Sequence, residues 1–354
     1  MVVYIIVYLL FLFAAVSKTT YTKDNRSVFY LVIAAFVFTA GFRDLIGGYD
    51  VYIYRSVYLG GSEGIRNSNF EWGIQQFFHF LRLFSESEYF MFFVAILVTV
   101  LATFTSLKRY SKFLYFALFI FFCKFYLMSF VYLRQGIAMG IVWYALRYVE
   151  SRKLFPFVLV VCIGFLFHRS ALIFLPIYFL VQKYDVRLYI FGFVLFFSFL
   201  VLPIFDPLLS FVSSFSERYE NYGENIGQNF NPLYVIEACF CFIILLLRYR
   251  KDMSFKQIIF YNGFFVYLLL QLLAAKKGIF IRTTWYYLIF YCVFLSDFAY
   301  QDTLARKVFK PLLILLFTAL FFRMLLIWDG GDFLPYKSIF DSTERNSIWQ
   351  HLKR

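Results

Sequence analysis

The feature that most constrains this chain is a series of apolar runs that follow one another along almost its whole length. Of its 354 residues, 62% are hydrophobic and only 16% are charged, whereas a soluble domain has about 45–50% apolar and about 25% charged residues. One soluble core cannot hold so much apolar surface, because the outside of a folded chain must stay wet. The composition therefore predicts an all-α, polytopic integral membrane protein.

A membrane-spanning helix needs about 20 apolar residues, and about 17–25 is the usual range. The apolar runs predict about twelve transmembrane helices in a single transmembrane domain, 1–354. The two segments on either side of His168 and Arg169 are short, so they are expected to form a broken helix or a hairpin that does not fully cross. The predicted spans are 2–17, 28–42, 89–107, 113–131, 134–149, 155–167, 171–182, 188–205, 233–248, 257–275, 284–300 and 311–328.

Basic residues set the orientation of these spans. With the N-terminus outside, the inner connections contain 18 of the 34 Lys and Arg residues, as the positive-inside rule requires. The net charge of +13 is therefore attributed to basic residues that orient the spans in the membrane, and a nucleic-acid partner is not expected. The inner connections are 18–27, 108–112, 147–154, 183–187, 248–256 and 301–310.

The long connections then all face outward: loop 43–88, loop 206–232 and the tail 329–354. Loops on a rigid scaffold usually carry function, so chemistry is expected on the outer face of the membrane. The inner connections contain no phosphate-binding glycine loop and no Asp-x-Asp pair. An enzyme that uses ATP or a nucleotide sugar in the cytoplasm is therefore not indicated.

Carboxylates in loop 43–88 are candidates for acid–base chemistry. Asp44 and Asp50 flank Gly47 and Gly48, so they form either a solvated turn or a pre-organised site in which Arg43 holds one carboxylate. Glu71 begins an amphipathic stretch, where it either stabilises a helix N-terminus or takes part in the site.

Cations at the outer ends of the spans are costly to keep in a membrane. Arg134 needs an anionic partner, which is either a loop carboxylate or a phosphate that its guanidinium contacts through two N–H groups. His168, beside Arg169, is either a packed core residue, a donor to a diphosphate or a proton shuttle. Arg282 follows two lysines, and Arg218 lies among aromatic and amide side chains suited to a carbohydrate.

Together these residues predict a cationic pocket for a lipid diphosphate beside a carboxylate base. The chain has three histidines, so no multi-histidine metal site is expected, and no cofactor is expected either.

Five short motifs occur in order along the chain. They are Gly41-Phe-Arg-Asp with Gly47-Gly-Tyr-Asp-x-Tyr, Glu71-Trp-Gly, Arg134-Gln-Gly-Ile-Ala-Met, Phe167-His-Arg-Ser-Ala-Leu-Ile and Arg282-x-x-x-Tyr. In this order they resemble the EpsG family, a branch of the Wzy-type polysaccharide polymerases of bacterial membranes. Arg169 stands where the family motif leads one to expect Lys or Ser.

The resemblance implies an architecture similar to GT-C glycosyltransferases and a metal-independent glycosyl transfer. In that reaction, a sugar hydroxyl of an undecaprenyl-diphosphate-linked repeat unit attacks the anomeric carbon of the lipid-linked chain. Asp50 or Asp44 is the expected base, with Glu71 and His168 as further catalytic candidates. The arginines named above, with Tyr52 and Gln135, are expected to bind the substrate, and a chain-length regulator is an expected partner.

Two other functions fit an outward cationic pocket. A flippase for the same lipid-linked sugars would have an internal repeat and charges in both halves of the membrane, and the chain shows neither. An O-antigen ligase uses the same donor with another acceptor, so this alternative stays open. A membrane acyltransferase would need its histidine near a cytoplasmic donor, whereas His168 is predicted to face outward.

Overall fold

The computed structural model of the protein describes residues 1–17, 20–22, 24–202, 230–250, 252–327, 329 and 332–341. Most of these residues are helical. Strand-like pairing in the described ranges is limited to one isolated antiparallel bridge between Arg43 and Ser338. The predicted all-α class is therefore confirmed.

The helices follow the apolar runs closely, because most of the runs end at charged residues or turns. The first part of the chain forms α1 (Val2–Ser17), α2 (Arg26–Gly41), α3 (Tyr49–Leu59), α4 (Gly61–Asn67), α5 (Trp72–Arg82), α6 (Glu88–Tyr110), α7 (Leu114–Val131), α8 (Leu133–Glu150) and α9 (Leu154–Phe167). After a 3₁₀ helix (Arg169–Tyr178), the chain forms α10 (Val186–Val201), α11 (Pro232–Arg248), α12 (Phe255–Lys276), α13 (Ile281–Ala299) and α14 (Lys310–Leu326).

Four helical segments in the described ranges are long and apolar enough to cross a membrane: α6, α7, α12 and Ala305–Leu326. Several other apolar helices are shorter, such as α9 with 14 residues. At 1.5 Å per residue, α9 extends about 21 Å, less than the hydrocarbon core of about 30 Å. These lengths support a membrane-embedded protein, and the number of twelve spans stays a prediction.

The chain divides into two compact units. Unit 1 comprises residues 1–175 and 295–354, and unit 2 comprises residues 176–294. In unit 1, α7 lies at the centre: 15 of its 18 residues are buried, and it contacts α1, α2, α6, α8 and α14. A helix that is apolar on all sides is typical of such a central position.

Small residues bring α6, α8 and α9 close together in unit 1. A Cβ atom added at Gly140 would lie 2.6 Å from the Cβ of Ala102, and one at Gly136 would lie 3.0 Å from Thr99. On the other side of α8, a Cβ at Gly164 would lie 2.8 Å from Val142. The position of α8 is therefore fixed from both sides.

The tail 332–341 completes the loop between α2 and α3. Backbone N–H groups of Asp44 and Gly47 donate to Lys337 at 2.9 Å and to Asp332 at 3.0 Å. Tyr4 also donates through its hydroxyl to the Phe333 carbonyl, at 2.8 Å. The loop that precedes α3 thus depends on segment 332–341 for the acceptors of these backbone hydrogen bonds.

Arg43 stabilises this loop from inside. Its side chain is fully buried and donates to the carbonyls of Ile46 (2.9 Å), Phe130 (2.6 Å) and Ala40. The guanidinium also lies 4.9 Å from the ring centre of Phe92. Since the carbonyls belong to α2, the loop and α7, Arg43 links these three segments.

Replacing Arg43 with Met should destabilise unit 1 strongly. The substitution leaves three buried carbonyls without a donor, which costs at least about 3 kcal/mol at about 1–3 kcal/mol for each unsatisfied group. Thermal unfolding of the detergent-purified protein should show a fall in Tm of several degrees. The control is Arg66→Gln, which removes an exposed charge in α4; equal Tm values for the two variants would contradict this role of Arg43.

Candidate functional site

Glu71 joins two basic side chains in unit 1. Its Oε2 accepts a hydrogen bond from Nη1 of Arg134 at 2.6 Å, and its Oε1 lies 3.3 Å from Nδ1 of His168. The backbone N–H of Arg169 also donates to Oε1, at 3.5 Å. The carboxylate is 7% exposed, so both of its oxygen atoms are used inside the protein.

Three helix ends position this cluster. Glu71 is the residue before α5, Arg134 lies in the first turn of α8, and His168 is the extended residue after α9. The Glu71 side chain forms no capping hydrogen bond with its own helix. The alternative in which Glu71 serves only the N-terminus of α5 is therefore not what the structure shows.

Close packing of α5 against α9 requires a glycine at position 73. A Cβ atom at position 73 would lie 2.7 Å from the carbonyl oxygen of Leu166 in α9. Without a side chain, the start of α5 can lie directly against the end of α9. This contact brings Glu71 within reach of His168.

Aromatic side chains hold the Arg134 guanidinium in place. Its carbon lies 4.4 Å from the ring centre of Phe70, and its Nε donates to the hydroxyl of Tyr54 at 3.3 Å. The side chain is 23% exposed, and Nη2 donates no hydrogen bond to the described residues. One edge of the guanidinium therefore remains available to an anion.

The electrostatic environment keeps Glu71 ionised. Burial raises its pKa, but the hydrogen bond from His168 and the charge of Arg134 outweigh this effect and lower the pKa to about 2. A carboxylate this acidic is a poor proton acceptor near pH 7. Its physical role is to hold Arg134 and His168.

Asp50 lies one helical turn before Tyr54, which contacts this cluster. Residues four apart share one face of an α-helix, so Asp50 and Tyr54 lie on the same face of α3, and Tyr54 contacts Arg134. Asp50 is half-buried, and its side chain forms no hydrogen bond or ion pair in the described ranges. Gly48, with φ of 76°, precedes α3 in a conformation that favours glycine.

The side chains of Asp44 and Arg43 have different partners and do not pair with each other. Oδ1 of Asp44 accepts a hydrogen bond from Tyr89 at 2.9 Å, whereas Arg43 donates to backbone carbonyls. Of the two alternatives for this turn, the one in which Arg43 holds Asp44 or Asp50 is therefore not what the structure shows, since Arg43 is used in structural contacts. Tyr52 on α3 and Gln135 on α8 are each 1% exposed, so both side chains are buried.

The remaining predicted cations lie elsewhere. The Arg169 side chain is exposed beside His168. Arg282 is half-buried in the first turn of α13, in unit 2, and Arg218 lies outside the described residues. Lys276, one of the two lysines before Arg282, donates to the carbonyls of Phe199 and Leu202 near the end of α10, at 3.1 Å each.

Sequence reasoning missed the aromatic residues of the cluster. Phe70 precedes Glu71 directly, and Tyr54 follows Asp50 by one helical turn. Both positions could have been found by asking which aromatic faces lie beside a predicted buried arginine. In the described ranges, no group of three or more His, Cys, Asp or Glu residues could hold a metal ion.

Acidification should weaken the Glu71 cluster. Because the pKa of Glu71 falls from 4.5 to about 2 on folding, its contribution to stability is complete above pH 4.5 and declines as the pH falls toward 2. Between pH 4.5 and pH 3, the Tm of the wild type should therefore fall more than that of Glu71→Gln. Glu63→Gln, which changes an exposed acid, should behave as the wild type; parallel curves for all three proteins would contradict the low pKa.

The comparisons with known proteins agree with the motifs. No curated protein and no solved structure matches the chain. A sequence model of the EpsG family matches residues 26–338, which is nearly the whole chain and includes the Glu71 cluster. The chain therefore belongs to the EpsG family, the family of Wzy-type polysaccharide polymerases.

Proposed function

We propose that this protein joins undecaprenyl-diphosphate-linked oligosaccharide repeat units into a polysaccharide at the outer face of the bacterial cytoplasmic membrane. Family membership supports a polysaccharide polymerase. The observation that carries the proposed site is the Glu71 carboxylate, which holds an arginine and a histidine from two other helix ends. Such a cluster combines a fixed positive charge with a polarised imidazole.

Arg134 stabilises the leaving diphosphate. Glu71, Tyr54 and Phe70 fix its guanidinium before the substrate arrives, so little reorganisation is needed when negative charge develops. The uncommitted Nη2 edge donates to phosphate oxygens, for which a planar guanidinium is well suited. The positive charge that the departing diphosphate needs is therefore supplied by the protein.

His168 supports the same phosphate group. Its Nδ1 is directed at Glu71, which fixes the ring and points the Nε2 edge away from the carboxylate. From this position the imidazole donates to a diphosphate oxygen. Glu71 acts as a positioning residue for both donors.

Asp50 accepts the proton of the acceptor sugar. As the hydroxyl oxygen forms a bond to the anomeric carbon, its proton passes to the Asp50 carboxylate. The bond between the anomeric carbon and the phosphate oxygen breaks, and the diphosphate leaves with the electron pair. Asp50 suits this task better than Glu71 or Asp44, because both of those carboxylates already accept hydrogen bonds from other side chains.

The test is the chain-length distribution of surface polysaccharide in the native host. Arg134→Ala and Asp50→Asn should each lower polymerisation by about 100-fold or more, leaving single repeat units on the surface. Arg134→Lys should recover little activity, because a single ammonium group lacks the planar set of donors that contacts Tyr54, Glu71 and a phosphate together. Arg66→Gln and Glu63→Gln, which change exposed charges in α4, should give the wild-type ladder at matched protein levels.

Other outcomes would assign a different function. Repeat units that accumulate inside the cell would indicate transport of the lipid-linked sugar. Normal polymer that fails to reach its final acceptor would indicate a ligase. A wild-type ladder from Arg134→Ala would show that this arginine is only a structural ion pair with Glu71.

A further inference from the structure

A second cationic site lies at the other end of α8. A cavity of about 100 Å³ opens between α6 and α8. Gly140 and Ala102, which bring the two helices together, line one end of the cavity, and larger side chains line the rest. Its lining includes two arginines, two hydroxyl side chains and three aromatic rings: Arg109, Arg147, Thr105, Ser106, Tyr110, Trp143 and Tyr144.

Arg147 has an unsatisfied hydrogen-bond donor beside this cavity. Its Nε is buried and has no hydrogen-bond partner, and the guanidinium forms no ion pair with any described residue. The guanidinium carbon lies 3.3 Å from the ring centre of Tyr144, so a stacked ring fixes its plane. Arg147 as a whole is half-buried, and because a guanidinium keeps its charge, an anion in the cavity would pair with it.

Arg109 adds a second positive charge to the same cavity. Its Nη2 lies 3.7 Å from Glu150, and its side chain is 53% exposed. This long contact neutralises at most one of the two arginines, so the cavity keeps a net positive charge. The hydroxyl groups of Thr105 and Ser106 also line the cavity. They already donate to backbone carbonyls of α6, at 2.6 Å to Leu101 and 2.8 Å to Ala102, so the two arginines supply the donors for an anion.

The cavity adjoins an exposed apolar face. Leu101 is 44% exposed and Tyr144 is 46% exposed, and Thr105, one helical turn after Leu101, is exposed as well. In a membrane-embedded helix bundle, such a face contacts acyl chains. This end of α6 and α8 joins the connections 108–112 and 147–154, which are predicted to face the cytoplasm, where the membrane surface is rich in anionic lipid.

We propose that this cavity binds the phosphate of an anionic phospholipid from the cytoplasmic leaflet, between Arg147 and Arg109. The acyl chains of the lipid lie along the exposed Leu101 and Tyr144 side chains. This site is separate from the Glu71 cluster: Arg147 is 13 residues after Arg134 in α8, or about 20 Å along the helix. It does not depend on the proposed polymerase activity.

Native mass spectrometry of the full chain in detergent tests the site. Phosphatidylglycerol and phosphatidylcholine are titrated against the wild type, Arg147→Gln and the control Lys153→Gln, which removes an exposed charge from the same connection. Loss of one charge-assisted contact, about 1.4 kcal/mol, should weaken phosphatidylglycerol binding about tenfold in Arg147→Gln. Lys153→Gln should bind as the wild type, and phosphatidylcholine should bind weakly to all three.

A second variant separates site binding from general charge attraction. Thr105→Phe narrows the cavity and keeps every charge, so it should also weaken phosphatidylglycerol binding while the lipid-free Tm stays near the wild-type value. Equal losses in Arg147→Gln and Lys153→Gln would overturn the proposal, and so would unchanged binding in Thr105→Phe. Displacement of the lipid by millimolar inorganic phosphate would show a site for free phosphate instead.

Discussion

A guanidinium keeps its positive charge wherever the chain places it, and the architecture of unit 1 follows from how that charge is satisfied. Arg43 is surrounded by backbone carbonyls and becomes a structural link between α2, α7 and the loop before α3. Arg134 meets a carboxylate and keeps one edge uncommitted. Arg147 stacks on a tyrosine beside a cavity. The three arginines are therefore not equivalent: the first belongs to the fold, and the other two are the centres of the two proposed binding sites.

Close helix packing determines where two of these charges lie. Gly136 and Gly140 let α8 approach α6, and Gly164 lets α9 approach α8. Because α8 is fixed along its length, Arg134 at its start and Arg147 near its end are held at opposite ends of one rigid helix. Gly73 applies the same principle to α5, where a missing side chain allows Glu71 to reach His168. These four glycines thus act through close helix contacts, whereas Gly47 and Gly48 also have positive φ angles, of 125° and 76°.

Helix positions could be predicted from the sequence because apolar runs and their charged ends are local signals. The predicted span 113–131 and the observed α7 differ by one residue. The contact of Glu71 with Arg134 and His168 was only partly predictable. The predicted topology placed all three residues at the outer face of the membrane but did not indicate which of them pair. An ion pair with a loop carboxylate was one of two alternatives for Arg134, and the structure shows it.

The role of Arg43 could not be predicted, because its partners are carbonyl oxygens that every residue possesses. Sequence alone cannot say which of many identical acceptors a buried donor will meet. Asp44 was misleading for a related reason, since its partner Tyr89 lies 45 positions away and is one of 29 tyrosines.

The hydrogen bonds between the tail 332–341 and the loop before α3 have a consequence for biosynthesis. Asp44 and Gly47 are made early, yet their partners Lys337 and Asp332 leave the ribosome almost three hundred residues later. Until then, the N–H groups of Asp44 and Gly47 lack these carbonyl acceptors. The start of α3, which carries Asp50, is therefore not held in place. A nascent chain would therefore form its helices first, and the loop before α3 would be completed only when residues 332–341 had been translated.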